Sequence, residues 1–281
     1  MNDLARGSFF SAAQATALLK KRCGDRGRLK ANTQILQAEA PAVNKPSETI
    51  QIKAAGCSFL LGNCYNEGML DYTALIVAAG AGTRMGLGYN KAYYRMADGK
   101  TILEHTMDCF LQDEDCKEVV VVTDSEDFYH ALGPDTIGKI VVVQGGASRE
   151  ESVWNGMKAV LCDTVFVHDG ARPFLPRECL GALKQVMETE EAACLMVPCK
   201  DTIKVVADGR IEKTLPRSTL MAAQTPQAFR TELLMDCMEK ARRDGFEATD
   251  DCSIVEAYSD VKIVVVEGSY ANRKITTVED L

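Results

Sequence analysis

A glycine-rich turn follows the first strongly apolar run of the chain. Residues 78–85 read Ala-Ala-Gly-Ala-Gly-Thr-Arg-Met and come directly after the run that begins at Ala74. Small residues where a strand turns into a helix let backbone N–H groups approach an anion closely, and the helix dipole favours negative charge there. The turn therefore predicts a phosphate-binding site around Gly80 and Gly82, with Arg84 beside it.

Two other phosphate-binding loops are disfavoured at this position. A Walker loop requires Gly-Lys-Ser or Gly-Lys-Thr after four intervening residues, and that sequence does not follow Gly80. A dinucleotide fingerprint requires a third glycine, and Met85 stands in its place. An NAD-dependent oxidoreductase is therefore a disfavoured alternative, which tight NADH binding would revive.

Further motifs follow the glycine turn and Lys91 in a fixed order. They are 145–153 (Gly-Gly-Ala-Ser-Arg-Glu-Glu-Ser-Val), 168–173 (His-Asp-Gly-Ala-Arg-Pro), 225–227 (Thr-Pro-Gln), 249–251 (Thr-Asp-Asp) and 274–276 (Lys-Ile-Thr). This series resembles the 2-C-methyl-D-erythritol 4-phosphate cytidylyltransferase family from about Asp71 to Leu281. Ribitol-5-phosphate cytidylyltransferases share most of the scaffold, but the small pairs Ala79-Gly80 and Gly170-Ala171 favour the erythritol-phosphate family.

The resemblance implies an enzyme that transfers CMP from CTP to 2-C-methyl-D-erythritol 4-phosphate, giving CDP-methylerythritol and pyrophosphate for isoprenoid synthesis by the non-mevalonate pathway. It assigns catalytic roles to Arg84 and Lys91, since fixed cations stabilise the charge that spreads over the phosphoryl oxygens. Mg²⁺ held mainly by the phosphates is the expected cofactor, because this ion usually keeps several waters rather than entering an all-protein site. A phosphate monoester has a second pKa of about 6, so no general base is required.

The resemblance also implies two sets of binding residues. The CTP site would be formed by Ala78, Ala79, Gly80, Gly82, Arg149, Ser152, Asp169 and Lys274. The sugar-alcohol phosphate would be bound by Arg172, Thr202, Arg217, Thr225 and Thr249. His168 ends an apolar run, and the reaction needs no proton removed, so we predict a structural role for this histidine.

Short apolar runs alternate with helical segments from Tyr72 onward, which is typical of a parallel sheet with crossover helices. Strands are predicted at Ala74 to Ala78, Val119 to Thr123, Ile140 to Val143, Val165 to His168 and Cys194 to Pro198. A helix is indicated by the spacing of Ile102, Leu103, Met107, Phe110 and Leu111. A capping box of Ser148 and Glu151 predicts another helix towards Leu161, and a third should start near Pro176.

The stretch from Asp201 to Gln227 interrupts this alternation. Asp208-Gly209 predicts a hairpin turn between Thr202–Val206 and Ile211–Leu215. The expected fold is therefore α/β, a three-layer Rossmann-like and mostly parallel sheet with a projecting β-arm for dimerisation. We expect a homodimer, in which Thr202 and Arg217 would, by resemblance, hold the substrate phosphate bound in the opposite subunit.

Residues 1–69 are predicted to be an extension to which no fold can be assigned, followed by the cytidylyltransferase domain at 70–281 with its arm at about 201–227. The extension contains one candidate amphipathic helix, Ser11 to Lys21, and Met69 is a candidate start residue. A net charge of −8 argues against general binding to nucleic acid or anionic membranes. Since neither a membrane span nor a signal peptide is evident, we expect a cytoplasmic protein.

Three features depart from the family pattern. Ala92 follows Lys91 where glutamine is usual, Arg273 stands where an apolar residue is usual, and the family commonly continues beyond the position of Leu281 into a last helix. They leave open a homologue that binds nucleotide but has impaired catalysis.

Overall fold

The computed structural model describes residues 53–54, 57–58, 70–80, 87–133 and 138–280, and the chain divides into two compact units, Met1–Cys64 and Tyr65–Leu281. In the first unit two short strands, β1 (Lys53–Ala54) and β2 (Cys57–Ser58), pair in antiparallel orientation. The helix predicted at Ser11 to Lys21 lies outside the described residues. Every site residue predicted from the sequence belongs to the second unit.

Most of the strands described in the second unit form one sheet. The strands of this sheet are β3 (Tyr72–Val77), β4 (Cys116–Thr123), β5 (Ile140–Gln144), β6 (Thr164–Asp169), β7 (Ala192–Pro198), β10 (Met221–Arg230) and β11 (Val264–Glu267). A separate hairpin consists of β8 (Lys204–Ala207) and β9 (Arg210–Thr214). The order across the large sheet is β11-β7-β10-β6-β3-β4-β5, and only β10 runs antiparallel to its neighbours. The prediction of a mostly parallel α/β sheet is confirmed.

Helices cover both faces of this sheet. They are α1 (Ile102–Leu111), α2 (Ser125–Leu132), α3 (Arg149–Met157), α4 (Arg177–Met187), α5 (Thr231–Asp244) and α6 (Asp251–Tyr258). Successive residues of a strand point to opposite faces. Phe166 accordingly packs in the cluster that contains Leu183 of α4, whereas Val165 packs in the cluster that contains Leu234 of α5. The two clusters separate three layers, as predicted. No described helix combines the length and the apolar composition that crossing a bilayer requires.

The predicted helix starts are close to those observed. Ser148 Oγ accepts a hydrogen bond from Glu151 N at 3.0 Å, and α3 begins at the next residue after Ser148. The Glu151 carboxylate reaches Ala147 N, at 2.8 Å, so it stabilises the residue before the cap rather than completing the predicted capping box. Pro176 is the N-cap of α4, so this helix starts beside the residue near which its start was predicted.

The predicted hairpin is formed by β8 and β9, with Asp208 and Gly209 at φ values of 50° and 72°. These positive φ values suit a tight turn of the kind that Asp-Gly sequences favour. The range predicted as the arm, 201–227, extends too far, because Met221 onward belongs to β10 in the middle of the large sheet. Polar and apolar residues do not alternate along β10 as they do in a strand with one exposed face. The strand pairs with β7 on one edge and with β6 on the other, and its second half is buried.

Candidate active site

The described part of the glycine turn, Ala78 to Gly80, leaves the sheet between β4 and β6. Ala78 N donates a hydrogen bond to Val122 O, and Gly170 N donates one to Val77 O, each at 2.8 Å. A Cβ atom at residue 170 would lie 2.8 Å from Ala78 Cβ and 3.0 Å from Val77 O. Glycine at 170 therefore allows the loop after β6 to pack directly against the turn.

Asn90 joins a short helical turn at Lys91–Tyr93 to the glycine turn by hydrogen bonds. The Asn90 Oδ1 atom accepts a hydrogen bond from Ala92 N at 3.0 Å, and its Nδ2 group donates to Ala78 O. Lys91 Nζ donates to Ile275 O at 2.6 Å. Asn90 was not among the residues predicted from the sequence, although it immediately precedes the lysine that was.

Asp169, the last residue of β6, is buried among cations from three segments. Its Oδ2 atom lies 2.9 Å from Lys274 Nζ and 3.3 Å from Arg172 Nε, and its Oδ1 atom lies 3.6 Å from Arg149 Nε. Burial alone would raise the pKa of Asp169, but the charges of Lys274, Arg149 and Arg172 outweigh burial and hold that pKa below its ordinary value. The carboxylate is therefore an anchor for cations and remains ionised.

Arg149 lies in the first turn of α3 and also binds the start of α6. Its Nη2 and Nη1 atoms lie 2.7 and 3.1 Å from the two carboxylate oxygens of Asp251. Burial lowers the pKa of Arg149, but the Asp251 carboxylate more than reverses that effect and raises it above its ordinary value. The Thr-Asp-Asp motif was recognised in the sequence, but the separate roles of its two aspartates could not be predicted from it. Asp250 caps α6, whereas Asp251 pairs with Arg149.

Ser152 shapes the loop that precedes α3. Its Oγ atom accepts a hydrogen bond from Gly146 N at 3.0 Å and donates one to Ser148 O at 2.8 Å. A Cβ atom at residue 145 would overlap Ala79 Cβ. The loop therefore closes against the glycine turn only with small residues at 145 and 79.

These segments enclose a cleft of about 400 Å³ at the carboxyl ends of β3 and β6. Its lining consists of Val77, Ala78, Ala79, Gly80, Asn90, Lys91, Ala92, Gly146, Ala147, Ser148, Arg149, Ser152, Asp169, Gly170, Ala171 and Lys274. Three cations line it against the single carboxylate of Asp169, although the whole chain carries a net charge of −8. The described lining thus provides the local positive charge that an anionic ligand requires.

The structure brings together eight of the residues predicted from the sequence. Ala78, Ala79, Gly80, Lys91, Arg149, Ser152, Asp169 and Lys274 all line the cleft. Gly82 and Arg84 lie outside the described residues. Arg172 lies behind Asp169, where its Nη1 group donates to Asn272 O at 2.7 Å.

The remaining predicted substrate residues do not line this cleft. Thr202 and Arg217 are exposed on the segments that flank the hairpin of β8 and β9, and Thr249 is exposed before α6. Thr225 is buried, and its hydroxyl is engaged by Asp169 N and His168 Nδ1, each 3.0 Å away. His168 itself is buried in β6, and burial lowers its pKa to about 4, in keeping with the structural role predicted for it.

Two departures from the family pattern are accommodated locally. Arg273 is exposed, with its guanidinium 4.4 Å from the centre of the Phe174 ring and its Nε group donating to Asp280 O at 3.1 Å. The cation is therefore stacked on an aromatic ring instead of being buried in the sheet, and Lys274 keeps its contact with Asp169. Ala92 is buried and lines the cleft.

An open, mostly parallel sheet with a cationic cleft at the carboxyl ends of its strands is the arrangement of nucleotide-binding α/β enzymes. The sequence profile described as 2-C-methyl-D-erythritol 4-phosphate cytidylyltransferase matches residues 72–281. This chain belongs to that family.

Individual relatives agree with this assignment. The 2-C-methyl-D-erythritol 4-phosphate cytidylyltransferase of Bacillus licheniformis is 41% identical over 222 residues, which cover 75% of this chain and 93% of the relative. The enzyme of the same name from Clostridioides difficile is 38% identical over 216 residues, 75% of this chain and 90% of the relative. Among solved structures, 4-diphosphocytidyl-2C-methyl-D-erythritol synthase from Anaerococcus prevotii has a TM-score of 0.66 and 32% identity, over 75% of this chain and 94% of that one.

Proposed function

We propose that this protein is a nucleotidyltransferase that transfers CMP from CTP to 2-C-methyl-D-erythritol 4-phosphate, giving CDP-methylerythritol and pyrophosphate. The product is a precursor in the non-mevalonate pathway of isoprenoid synthesis. The observation that carries the proposal is the cleft, in which Lys91, Arg149 and Lys274 accompany the turn Ala78 to Gly80. Membership of the family supplies the pair of substrates.

In this reaction a phosphate oxygen of the sugar-alcohol phosphate attacks the α-phosphorus of CTP. A new P–O bond forms there as the bond from the α-phosphorus to the bridging oxygen of the β-phosphate breaks, and that oxygen leaves with pyrophosphate. Lys91 and Arg84 hold the triphosphate and stabilise the charge that grows on the leaving group and the equatorial oxygens. Lys274, fixed by Asp169 at 2.9 Å, supplies a further cation near the reacting phosphates.

The other residues of the cleft orient the nucleotide. Arg149 and Ser152, at the start of α3, lie at the side assigned to the ribose and the base by the family resemblance. The backbone of Ala79 and Gly80 offers N–H groups where side chains are too small to obstruct the phosphates, whereas Ala78 N already donates to Val122 O. Arg172 binds Asp169 and Asn272 from behind and is placed to stabilise this wall.

We further propose that a divalent cation, Mg²⁺, accompanies CTP. In the described part of the chain no group of three His, Cys, Asp or Glu side chains is placed to ligate a metal, and the Asp169 carboxylate is already shared by three cations. The phosphate oxygens and water would therefore hold most of the ion, as suits Mg²⁺. Once bound, the ion would offset negative charge on the phosphates.

A homodimer with shared sites completes the proposal. The hairpin of β8 and β9 exposes apolar side chains, with Val206 58% and Ile211 65% accessible, and these suit a contact with a second copy of the chain. Thr202 and Arg217 do not line the cleft of their own chain. Both would serve the site of the opposite subunit, where they bind the phosphate of the acceptor. The cytoplasmic location remains a prediction.

A pyrophosphate-release assay tests this function. Purified protein with Mg²⁺ and CTP should release pyrophosphate when 2-C-methyl-D-erythritol 4-phosphate is added and much less with ribitol 5-phosphate. The reverse preference would assign the protein to ribitol-phosphate chemistry. CTP binding without pyrophosphate release from either acceptor would indicate a homologue with impaired catalysis.

A further inference from the structure

A chain of hydrogen bonds lies behind Asp169, where β6 runs beside β10. Asp169 N donates to Thr225 Oγ1 at 3.0 Å, and the same oxygen lies 3.0 Å from His168 Nδ1. The other ring nitrogen, His168 Nε2, lies 3.2 Å from Arg172 O. Both side chains are buried, with 0% of His168 and 5% of Thr225 exposed.

The chemistry of these groups fixes where each hydrogen lies. Arg172 O can only accept, so His168 Nε2 must carry a hydrogen and donate it. In a neutral ring the other nitrogen, Nδ1, is then an acceptor, and the single hydrogen of the Thr225 hydroxyl points to it. The lone pairs of Thr225 Oγ1 remain available to Asp169 N. Every donor in the chain thus has an acceptor only if His168 is the neutral Nε2–H tautomer.

The surroundings disfavour the charged ring. Protonation at Nδ1 would turn the Thr225 hydroxyl hydrogen away from its acceptor, and burial lowers the pKa of His168 to about 4. The ring faces the edge of Phe110 from α1, with centroids 5.3 Å apart, which provides no counter-charge. The positive charge of Arg172 also lowers the pKa of His168, whereas the carboxylate of Asp169 raises it and does not reverse the effect of burial.

We propose that His168 and Thr225 are positioning residues that hold the backbone at Asp169 N and at Arg172 O, and thereby fix the Asp169 carboxylate against Lys274. The inference rests on the proposed function for its consequence but on the hydrogen bonds for its geometry. Residue 169 is held by its N–H group and residue 172 by its carbonyl, which leaves the loop between them little freedom. Thr225, assigned to substrate binding by resemblance, does not line the cleft and would act through Asp169, whose N–H group it holds.

Nitrogen-15 NMR of the imidazole rings, on the full chain without substrates, tests the hydrogen-bond chain directly. His168 should give the spectrum of a neutral ring with its hydrogen on Nε2, and its signals should not titrate at or above pH 5. A His168→Gln variant assigns the resonance. A Nδ1–H tautomer, or a titration near the ordinary histidine pKa of about 6.5, would overturn the inference.

Kinetics separate positioning from direct contact. Thr225→Val keeps the shape but removes the hydroxyl, and it should lower kcat about tenfold and weaken CTP binding, while KM for the acceptor changes less than about twofold. Thr225→Ser should recover most of the lost activity. Thr231→Val is the matched control, because the hydroxyl it removes donates to Cys162 O, outside the cleft and its supports, and its activity should be unchanged.

Two results would contradict the positioning role. One is a Thr225→Val enzyme in which KM for the acceptor rises while kcat stays unchanged, since that is the signature of a direct substrate contact. The other is a Thr225→Val enzyme as active as the wild type. Failure of the proposed function would look different: the wild-type chain would bind no CTP in calorimetry, and the imidazole spectrum would still decide whether the hydrogen-bond chain exists.

Discussion

Arg149 and Asp251, 102 residues apart in the sequence, form a bidentate ion pair. Arg149 Nη2 lies 2.7 Å from Asp251 Oδ2, and Arg149 Nη1 lies 3.1 Å from Asp251 Oδ1. The Asp251 side chain is 1% exposed, whereas that of Arg149 is 33% exposed and lines the cleft. The pair therefore joins the N-terminus of α6 to the first turn of α3. It fixes the direction of a cation that would otherwise have considerable freedom.

We expect Asp251→Asn to weaken CTP binding about tenfold, because Arg149 would lose the charge that orients it and keep only a partial hydrogen bond. The free energy of unfolding should fall on the order of 2 kcal/mol, less than for a fully buried pair because Arg149 is partly exposed. Calorimetric titration with CTP and urea unfolding measure the two effects. Asp236→Asn, which breaks an exposed pair with Lys240, is the control and should change neither. Unaltered CTP affinity in Asp251→Asn would show that Arg149 needs no such support.

The strands around the cleft could be predicted because their residues leave few alternatives. Val119 to Val122 are all fully buried, and a run of β-branched residues of that length forms a strand covered on both faces. The glycine turn was equally predictable, since residues 78–80 follow such a strand directly. These features are local in sequence, so the pattern alone determines them.

Features that depend on distant partners could not be predicted in this way. Gln224, Thr225 and Gln227 are buried in β10, where polar residues and Pro226 within the segment argued against a central strand. Their side chains bond to groups far away in the sequence, as when Gln227 Oε1 accepts from Cys252 N at 3.0 Å. The strand pairing itself shifts register between Ala223 and Gln227, which accommodates the proline. A sequence pattern contains no record of those partners.

Lys91→Ala should lower kcat about 100-fold or more, the scale for loss of one charged contact in the transition state. Steady-state release of pyrophosphate measures the effect. Lys117→Ala is the matched control, because Lys117 pairs with exposed Asp71 at the opposite end of the sheet and should leave turnover unchanged. Turnover that survived in Lys91→Ala would remove this lysine from the mechanism.

The arm gives a separate prediction about the acceptor. Arg217→Ala should raise KM for the sugar-alcohol phosphate more than it weakens CTP binding, because Arg217 lies outside the cleft that would hold CTP. Mixed dimers of Arg217→Ala and Lys91→Ala chains should regain part of the activity, since one of their two sites would combine an intact cleft with an intact arm. Mixtures no more active than the separate variants would contradict shared sites.

His168 predicts a pH dependence of stability. Its pKa is about 4 in the folded chain, and that of an unfolded histidine is about 6.5. Between these values the unfolded chain takes up a proton that the folded chain refuses, so the free energy of unfolding falls as the pH falls, by on the order of 3 kcal/mol in total. Above the unfolded pKa the contribution is constant. Urea unfolding of the wild type and His168→Gln should show a steeper loss for the wild type as the pH is lowered, and parallel losses would contradict this assignment.

Alanine substitutions at Gly170 and Gly181 distinguish the effect of close packing at the cleft from the general effect of an added methyl group. In Gly170→Ala the new Cβ would lie 2.8 Å from Ala78 Cβ and 3.0 Å from Val77 O, so the glycine turn must shift. We expect a loss of about 1–3 kcal/mol in the free energy of unfolding and a lower turnover number. In Gly181→Ala the Cβ meets open space on α4, and the better helix propensity of alanine should add about 0.5–1 kcal/mol with turnover unchanged. If both variants were equally stable and active, contact between the two loops would not be what shapes the cleft.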